Sequence, residues 1–388
     1  LGSSNGTFVN GERLGGPRPL AGQDVIRAGR CVFVFADDLG ALAAGAGASG
    51  SRLGMAGAFH SPALVAHLED AVATGRHLLI EGESGVGKEL VARAAHAIGC
   101  PAGPFVAHNC ARFASTEEAE TTLFGVLRGV FTGVEARAGL IEQADGGMLY
   151  LDELPNLPVR VQRSLLRFTE DGCFARIGES AGRRAVVRLL LGTNRPFEQA
   201  IAEGVLADDL VARTHRFAVP PLRNRRADVP GIFVAVMDRT ARRLGLREED
   251  WKPHLGADHM EALALHDCVG LNVRFLEDVA AMIGTRLART SPGDGTRELA
   301  ALFAERLSGS PVIARQEGAE DADGPAAARL GSVYERHREQ IMAAYRACGG
   351  NLTAMEDALR EQGVRVHRRW LAEFLHRWGL RNRRRPGA

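Results

Sequence analysis

Gly82-Glu83-Ser84-Gly85-Val86-Gly87-Lys88-Glu89 (GESGVGKE) follows the apolar run HLLI and leads into KELVARAAHAIG, whose apolar residues recur at helical spacing. Strand, glycine-rich loop and helix, in that order, form the setting a Gly-x-x-x-x-Gly-Lys phosphate loop requires. The glycines free backbone N–H groups to curl around a phosphate. The helix N-terminus adds positive potential, and Lys88 reaches the β and γ oxygens of a nucleotide. The general pattern continues with Ser or Thr, where this chain has Glu89. The chain holds only two lysines, Lys88 and Lys252, with arginine at its other basic positions. Keeping Lys at 88 points to a need for a compact ammonium there.

Further along, GGMLYLDEL (Gly146–Leu154) reads as a buried strand with Asp152 and Glu153 at its carboxyl end, where α/β proteins bind ligands. Asp152 would hold magnesium, directly or through water, and Glu153 would polarise an attacking water. A solvated acidic turn is the plainer alternative, but the phosphate loop upstream favours an ATPase. VVRLLLGTNRP is another buried strand, ending in Thr193 and Asn194. These could sense a γ-phosphate or orient water, or simply form a turn.

Apolar residues at 45% and charged residues at 24% describe a globular chain, and a net charge of +1 selects no partner. Six scattered cysteines without a C-x-x-C pair imply reduced thiols in a cytoplasmic protein, not a zinc site or disulfide framework. The twelve histidines show no H-E-x-x-H spacing. No apolar run is long enough to span a membrane. Leu1 opens in mid-pattern, so the chain is expected to be a fragment of a longer protein.

Composition divides the chain into blocks. Residues 1–36 read as short strands joined by Asn-Gly turns, and 37–53 as a Gly/Ala/Ser-rich linker. Residues 54–225 alternate strand and helix patterns, predicting an α/β fold with a parallel sheet. Residues 226–308 read as a helical lid, 309–331 as an acidic, Gly- and Pro-containing linker, and 332–388 as a small all-α domain with a basic tail.

GESGVGKELVARAAH, PFVAHNC, LFGVLRGVFTGV, GGMLYLDELPNLPVRVQRSLLR and PPLRNRRADV occur in the order found in the AAA+ domain of sigma-54-dependent transcriptional activators, which residues 54–280 resemble. Glu after the phosphate-loop lysine is usual in that family. The resemblance implies that ATP and magnesium bind at Gly82–Glu89 and Asp152, and that Arg274 acts as a sensor arginine. It implies that Asn109 restrains Glu153, coupling nucleotide state to a surface loop. That loop is Gly129-Val130-Phe131-Thr132-Gly133-Val134, in which Phe131, Thr132 and Gly133 would grip sigma-54; an ordinary hairpin packing Phe131 inward stays open. Valines flank the Phe-Thr tip where the family has alanines, adding β-branched stiffness. The family's paired arginine fingers appear as Ala207 and Arg213, so one is lost.

LGSSNGTFVNGERL with its following strands resembles the C-terminal half of a forkhead-associated (FHA) domain, a phosphothreonine-reading β-sandwich in which Ser4 and Asn5 would contact the phosphopeptide. REQIMAAYRACGGNLTAMEDAL and the arginine-rich stretch after it resemble a factor-for-inversion-type helix-turn-helix. Arg365, Arg368 and Arg369 are the candidate DNA contacts, and Arg381–Arg385 would add sequence-independent attraction.

The expectation is therefore a hexameric, ATP-hydrolysing activator that binds upstream DNA and remodels sigma-54 RNA polymerase holoenzyme. The alternative is a DNA-binding, phosphoprotein-sensing regulator with weak or lost ATPase activity, motivated chiefly by Ala207.

Overall fold

The computed structural model describes residues 6–37, 53–57, 59–130, 135–268, 270–289, 299, 302–303, 307, 338–362, 364 and 375. It divides into two compact units, Leu1–Val312 and Ile313–Ala388. The linker assigned to 309–331 lies outside the described residues, as does nearly all of 37–53.

The first unit is organised by a five-stranded parallel sheet with the order Thr214–Ala218, His77–Glu81, Arg188–Thr193, Met148–Asp152, Phe105–Asn109. Neighbouring residues point to opposite faces of a strand, so a run apolar at every position must be covered on both sides. That is the outcome here. Leu79, Leu149, Leu151, Leu189 and Leu191 pack on one face with helices Thr116–Phe124 and Val159–Asp171. Leu78, Ile80, Met148, Tyr150 and Leu190 pack on the other with helices His60–Ala73 and Lys88–Gly99. The result is an α/β P-loop NTPase fold.

Helices Val229–Arg243, Glu248–Trp251, Ala257–Leu265 and Val273–Leu287 follow the last strand, in the segment expected to be the lid, around the fully buried Phe233, Trp251 and Phe303. Asp228 is buried at the entry to the first of these. Its carboxylate accepts the Phe59, His60 and Ser61 N–H groups at 2.9, 3.0 and 3.0 Å. It thereby satisfies the donors that open helix His60–Ala73 and complements the helix dipole.

Residues 6–37 form a separate antiparallel sheet of strands Thr7–Val9, Glu12–Arg13, Val25–Ala28 and Cys31–Val34, with Thr7–Val9 and Val25–Ala28 at its centre. Asn10 and Gly11 take φ of 51° and 79°, the backbone an Asn-Gly hairpin turn requires. In the C-terminal unit, helices Arg338–Ala347 and Leu352–Glu361 share a small core of Ile341, Ala344, Met355 and Leu359. Gly349 and Gly350 turn the chain with φ of 58° and 80°. The Asn351 side chain then caps the second helix through Thr353 N–H, 3.1 Å away.

Candidate nucleotide site

Three parallel strands end at one cavity of about 310 Å³. His77–Glu81 feeds the glycine-rich loop, Met148–Asp152 delivers Asp152 and Glu153, and Arg188–Thr193 leads to Asn194, which lines the wall. Met55, Leu64, Ile232 and Val236 supply apolar lining, and Arg274 joins them from the lid. Residues Ser84 to Glu89 all border the space.

Gly85 and Gly87 adopt φ of 76° and 102°, conformations open to glycine at little cost. Lys88 is buried at 7% exposure, and its Nζ donates to the Gly82 and Glu83 carbonyls at 2.8 and 3.1 Å. Burial lowers its pKa, and Asp152 followed by Glu153 oppose that shift. An ammonium held on the loop's own carbonyls is poised to exchange them for phosphate oxygens.

Asp152 accepts the Glu153 N–H at 2.9 Å. A Cβ on Gly192, in the adjoining strand, would lie 2.6 Å from its Oδ1 and 2.7 Å from the Tyr150 hydroxyl, so this carboxylate requires a glycine beside it. Glu153 takes the left-handed φ of 53°, and its carboxylate accepts from Asn156 Nδ2 at 3.1 Å. Strain of this kind at the end of a core strand clusters at functional positions. Cys110 lies close by, and burial pushes its thiol up to about 12, so it stays protonated and non-nucleophilic at neutral pH.

The lid and the segment before it are tied to the loop by Asn272, Arg223 and Arg225, which the sequence reading did not single out, and by Arg274, which it did. Asn272 is 1% exposed and holds φ of 47°. Its Nδ2 donates to Glu83 Oε2 and the Ser84 carbonyl, both at 3.1 Å, while its Oδ1 accepts Leu222 N–H at 3.0 Å. Arg223 donates Nη1 to Glu83 Oε2 at 2.9 Å; this partner holds the Glu83 pKa below the usual carboxylate range, against the opposing effect of burial. Arg225, 5% exposed, reaches the Val86 carbonyl at 3.0 Å. Arg274 Nη1 donates to Ser84 Oγ at 3.0 Å. PPLRNRRADV carried both arginines, and Asn272 lies two residues before Arg274.

The Sigma-54 interaction domain model matches residues 58–220. The "Sigma54-dependent transcriptional activator SfnR" of Pseudomonas putida is 35% identical over 306 residues, which cover 75% of this chain and 80% of that protein. The chain belongs to the sigma-54-dependent transcriptional activators. The "Nitrogen assimilation regulatory protein NtrX" of Azorhizobium caulinodans is 34% identical across 76% of this chain, but the chain spans only 63% of that protein's length. Among solved structures, NtrX from Brucella abortus in complex with ATP superposes with a TM-score of 0.54 at 29% identity, covering 82% of this chain and 67% of that one. An FHA domain model matches residues 1–29 of the chain. No helix among its described residues is long and apolar enough to cross a membrane.

Several residues selected from the sequence stand elsewhere in the chain. Thr193 is fully buried; its hydroxyl donates to the Arg195 carbonyl at 2.9 Å and accepts Arg195 N–H at 3.2 Å. It closes the strand-end turn, which leaves the cavity wall to Asn194. Asn109 sits level with Asp152 across the sheet, but its Oδ1 accepts Ala111 N–H at 2.8 Å; the Glu153 carboxylate is bonded to Asn156 instead.

Arg213 caps the helix Asp208–Ala212 and pairs with Glu170 at 2.6 Å, both about half exposed. Ala207 is 5% exposed, and its N–H donates to the buried Gln162 Oε1 at 2.9 Å. Ala207 is thus a core residue. The loop bearing Phe131, Thr132 and Gly133 emerges from a ribbon of Gly125–Val126 and Arg137–Ala138. Phe131–Val134 lie outside the described residues, as do Ser4, Asn5, Arg365, Arg368, Arg369 and Arg381–Arg385.

Proposed function

We propose that this chain binds ATP in the cavity between phosphate loop and lid, and hydrolyses it to drive sigma-54 RNA polymerase holoenzyme from bound upstream DNA. The observation that carries the reading is the convergence of Lys88, Asp152, Glu153, Asn194 and Arg274 on one cavity. The loop N–H groups and Lys88 would hold the phosphates, Arg274 would meet them from the lid, and Glu153 would take a proton from the attacking water.

Magnesium fits this donor set. Asp152 offers hard carboxylate oxygens beside the phosphate loop, and ions of this type are held by one or two carboxylates plus phosphate oxygens. Glu89 supplies no hydroxyl, and its carboxylate is bonded to Arg93 at 2.7 Å, so Asp152 is the protein's contribution. When bound, the ion would neutralise charge developing on the phosphates.

Arg213 would serve the neighbouring subunit's nucleotide in a ring, which is taken to be a hexamer. The Phe131-Thr132 loop would then press on sigma-54, the C-terminal helices would engage DNA, and the N-terminal sheet would belong to a phosphothreonine-reading module. ATP turnover that rises with protein concentration, together with sigma-54 capture in the presence of a nucleotide transition-state mimic, tests this reading. No turnover at high concentration would sink it. Intact turnover without sigma-54 capture would redirect it to another client. Buried Ala207 favours a second reading, a DNA-binding regulator with little ATPase activity, which the same turnover measurement separates.

A further inference from the structure

The N-terminal sheet touches the lid through a carboxylate that has left water. Glu261, midway along helix Ala257–Leu265, is 0% exposed. Its Oε1 accepts the Gly11 N–H at 3.1 Å, and its Oε2 accepts from Arg27 Nε at 2.5 Å. Arg27 in turn lies over the buried Phe8 ring, 3.9 Å from its centroid. Both partners of the lid carboxylate therefore come from the N-terminal sheet, 250 and 234 residues away in sequence. A buried carboxylate is costly without its partner, so this contact holds only while the sheet stays docked.

A second grip lies on the connection between the parallel sheet and the lid. Gln23 Oε1 accepts the Arg226 backbone N–H at 3.1 Å, and the Gln23 carbonyl accepts Arg226 Nη1 at 3.4 Å. Arg226 sits between Arg225, which reaches the phosphate loop at Val86, and Asp228, which caps helix His60–Ala73. The other grip leads to the loop as well. Helix Ala257–Leu265 runs on to Cys268, whose carbonyl accepts the Asn272 N–H at 2.8 Å, and Asn272 holds Glu83 and Ser84.

We infer that the N-terminal sheet straps the lid to its own hinge, and that release of the Arg27–Glu261 pair frees the lid to let nucleotide go. The strap grips the hinge at Arg226 and the lid at Glu261. A lid swing about the connection must therefore carry the sheet along or break a desolvated ion pair. Any event that reshapes the N-terminal sheet is thereby converted into a change in nucleotide residence. This rests on the nucleotide reading above and adds the regulation of that same site.

The test uses the full chain, a fluorescent ADP and stopped-flow dissociation, with thermal melting to certify folding. Arg27→Ala and Glu261→Gln should each speed ADP release at least about threefold. The double variant should be no faster than the quicker single variant, because both remove one interaction. Gln23→Ala should act in the same direction by about twofold and carries the test if Arg27→Ala does not fold. Folded variants that release ADP at the wild-type rate, or effects that multiply in the double, would overturn the strap.

Hydrogen exchange of the 257–265 amides provides an arm independent of nucleotide: Arg27→Ala or Gln23→Ala should accelerate it, and unchanged exchange overturns the proposal. A wild-type chain that binds no ADP would instead remove the nucleotide reading, leaving the exchange arm to decide the strap.

Discussion

The two sides of the parallel-sheet unit use arginine in opposite ways. On the cavity side, Arg223 and Arg225 are tied to the phosphate loop at Glu83 and Val86, and Arg274 to Ser84. On the other side, Arg213 has a half-exposed ion pair with Glu170, and Ala207, at the start of the same helix, is buried. The cavity-side groups are fastened directly to the phosphate loop, with Arg225 and Asn272 doing so from buried positions. Arg213 stays on the surface, held by a contact that water and salt weaken.

Lys88→Ala tests the built side most severely. It removes a buried charge from the loop and should weaken nucleotide binding by roughly 100-fold or more, measured by titration with fluorescent ADP. Asn272→Ala strands Leu222 N–H and loosens Glu83, so it should cost about 2–3 kcal/mol, read as a lowered denaturant midpoint. If it costs nothing, the lid is not fastened as described.

Acid should weaken the lid as well. Burial lowers the pKa of His266, stacked on Phe275, from 6.5 to about 4. The unfolded chain then binds more protons between those values, so stability is full above pH 6.5 and is lost as pH falls toward 4. Moving to pH 5 should cost about 2 kcal/mol from this group, and a His266→Phe variant should flatten that slope in chemical denaturation.

On the other side, Arg213→Ala should lower steady-state ATPase at least about tenfold while leaving ADP affinity unchanged at dilute protein. No loss of rate would mean that the finger lies elsewhere. The smallest effect belongs to Glu170→Ala, expected to change stability by less than about 1 kcal/mol in the same denaturation assay. A larger cost would erase the contrast between the two sides.

The pieces of the site that are contiguous in the chain were legible before any coordinates. GESGVGKE needs only its own glycines and its lysine to announce a phosphate loop, and MLYLDE carries its burial and its acid pair in one strand. What was hidden depends on partners far apart. Asn272 and Glu83 are 189 residues apart, so GLNVR gave no sign that its asparagine fastens the lid. Thr193 and Asn194 were equivalent as letters; the turn at Arg195 consumed the threonine and left the asparagine to the cavity. Asn109 was chosen for Glu153, yet its oxygen turns back to a nearby backbone N–H at Ala111, a local bond that short polar side chains often make, and the Glu153 carboxylate bonds Asn156. Glu261 reads as one more surface acid on a helix until the N-terminal sheet is placed over it.

Gly85 has a consequence beyond its bend around phosphate. Val273 N–H donates to its carbonyl at 2.9 Å, and any side chain at this position would run into the Leu271 carbonyl. One missing methyl thus keeps two surfaces in register: the loop that would curl on a nucleotide, and the lid that closes on the loop. Substitution there would prop the lid open even if phosphate could still be wrapped, so an alanine at 85 should separate grasping from closing in a single step.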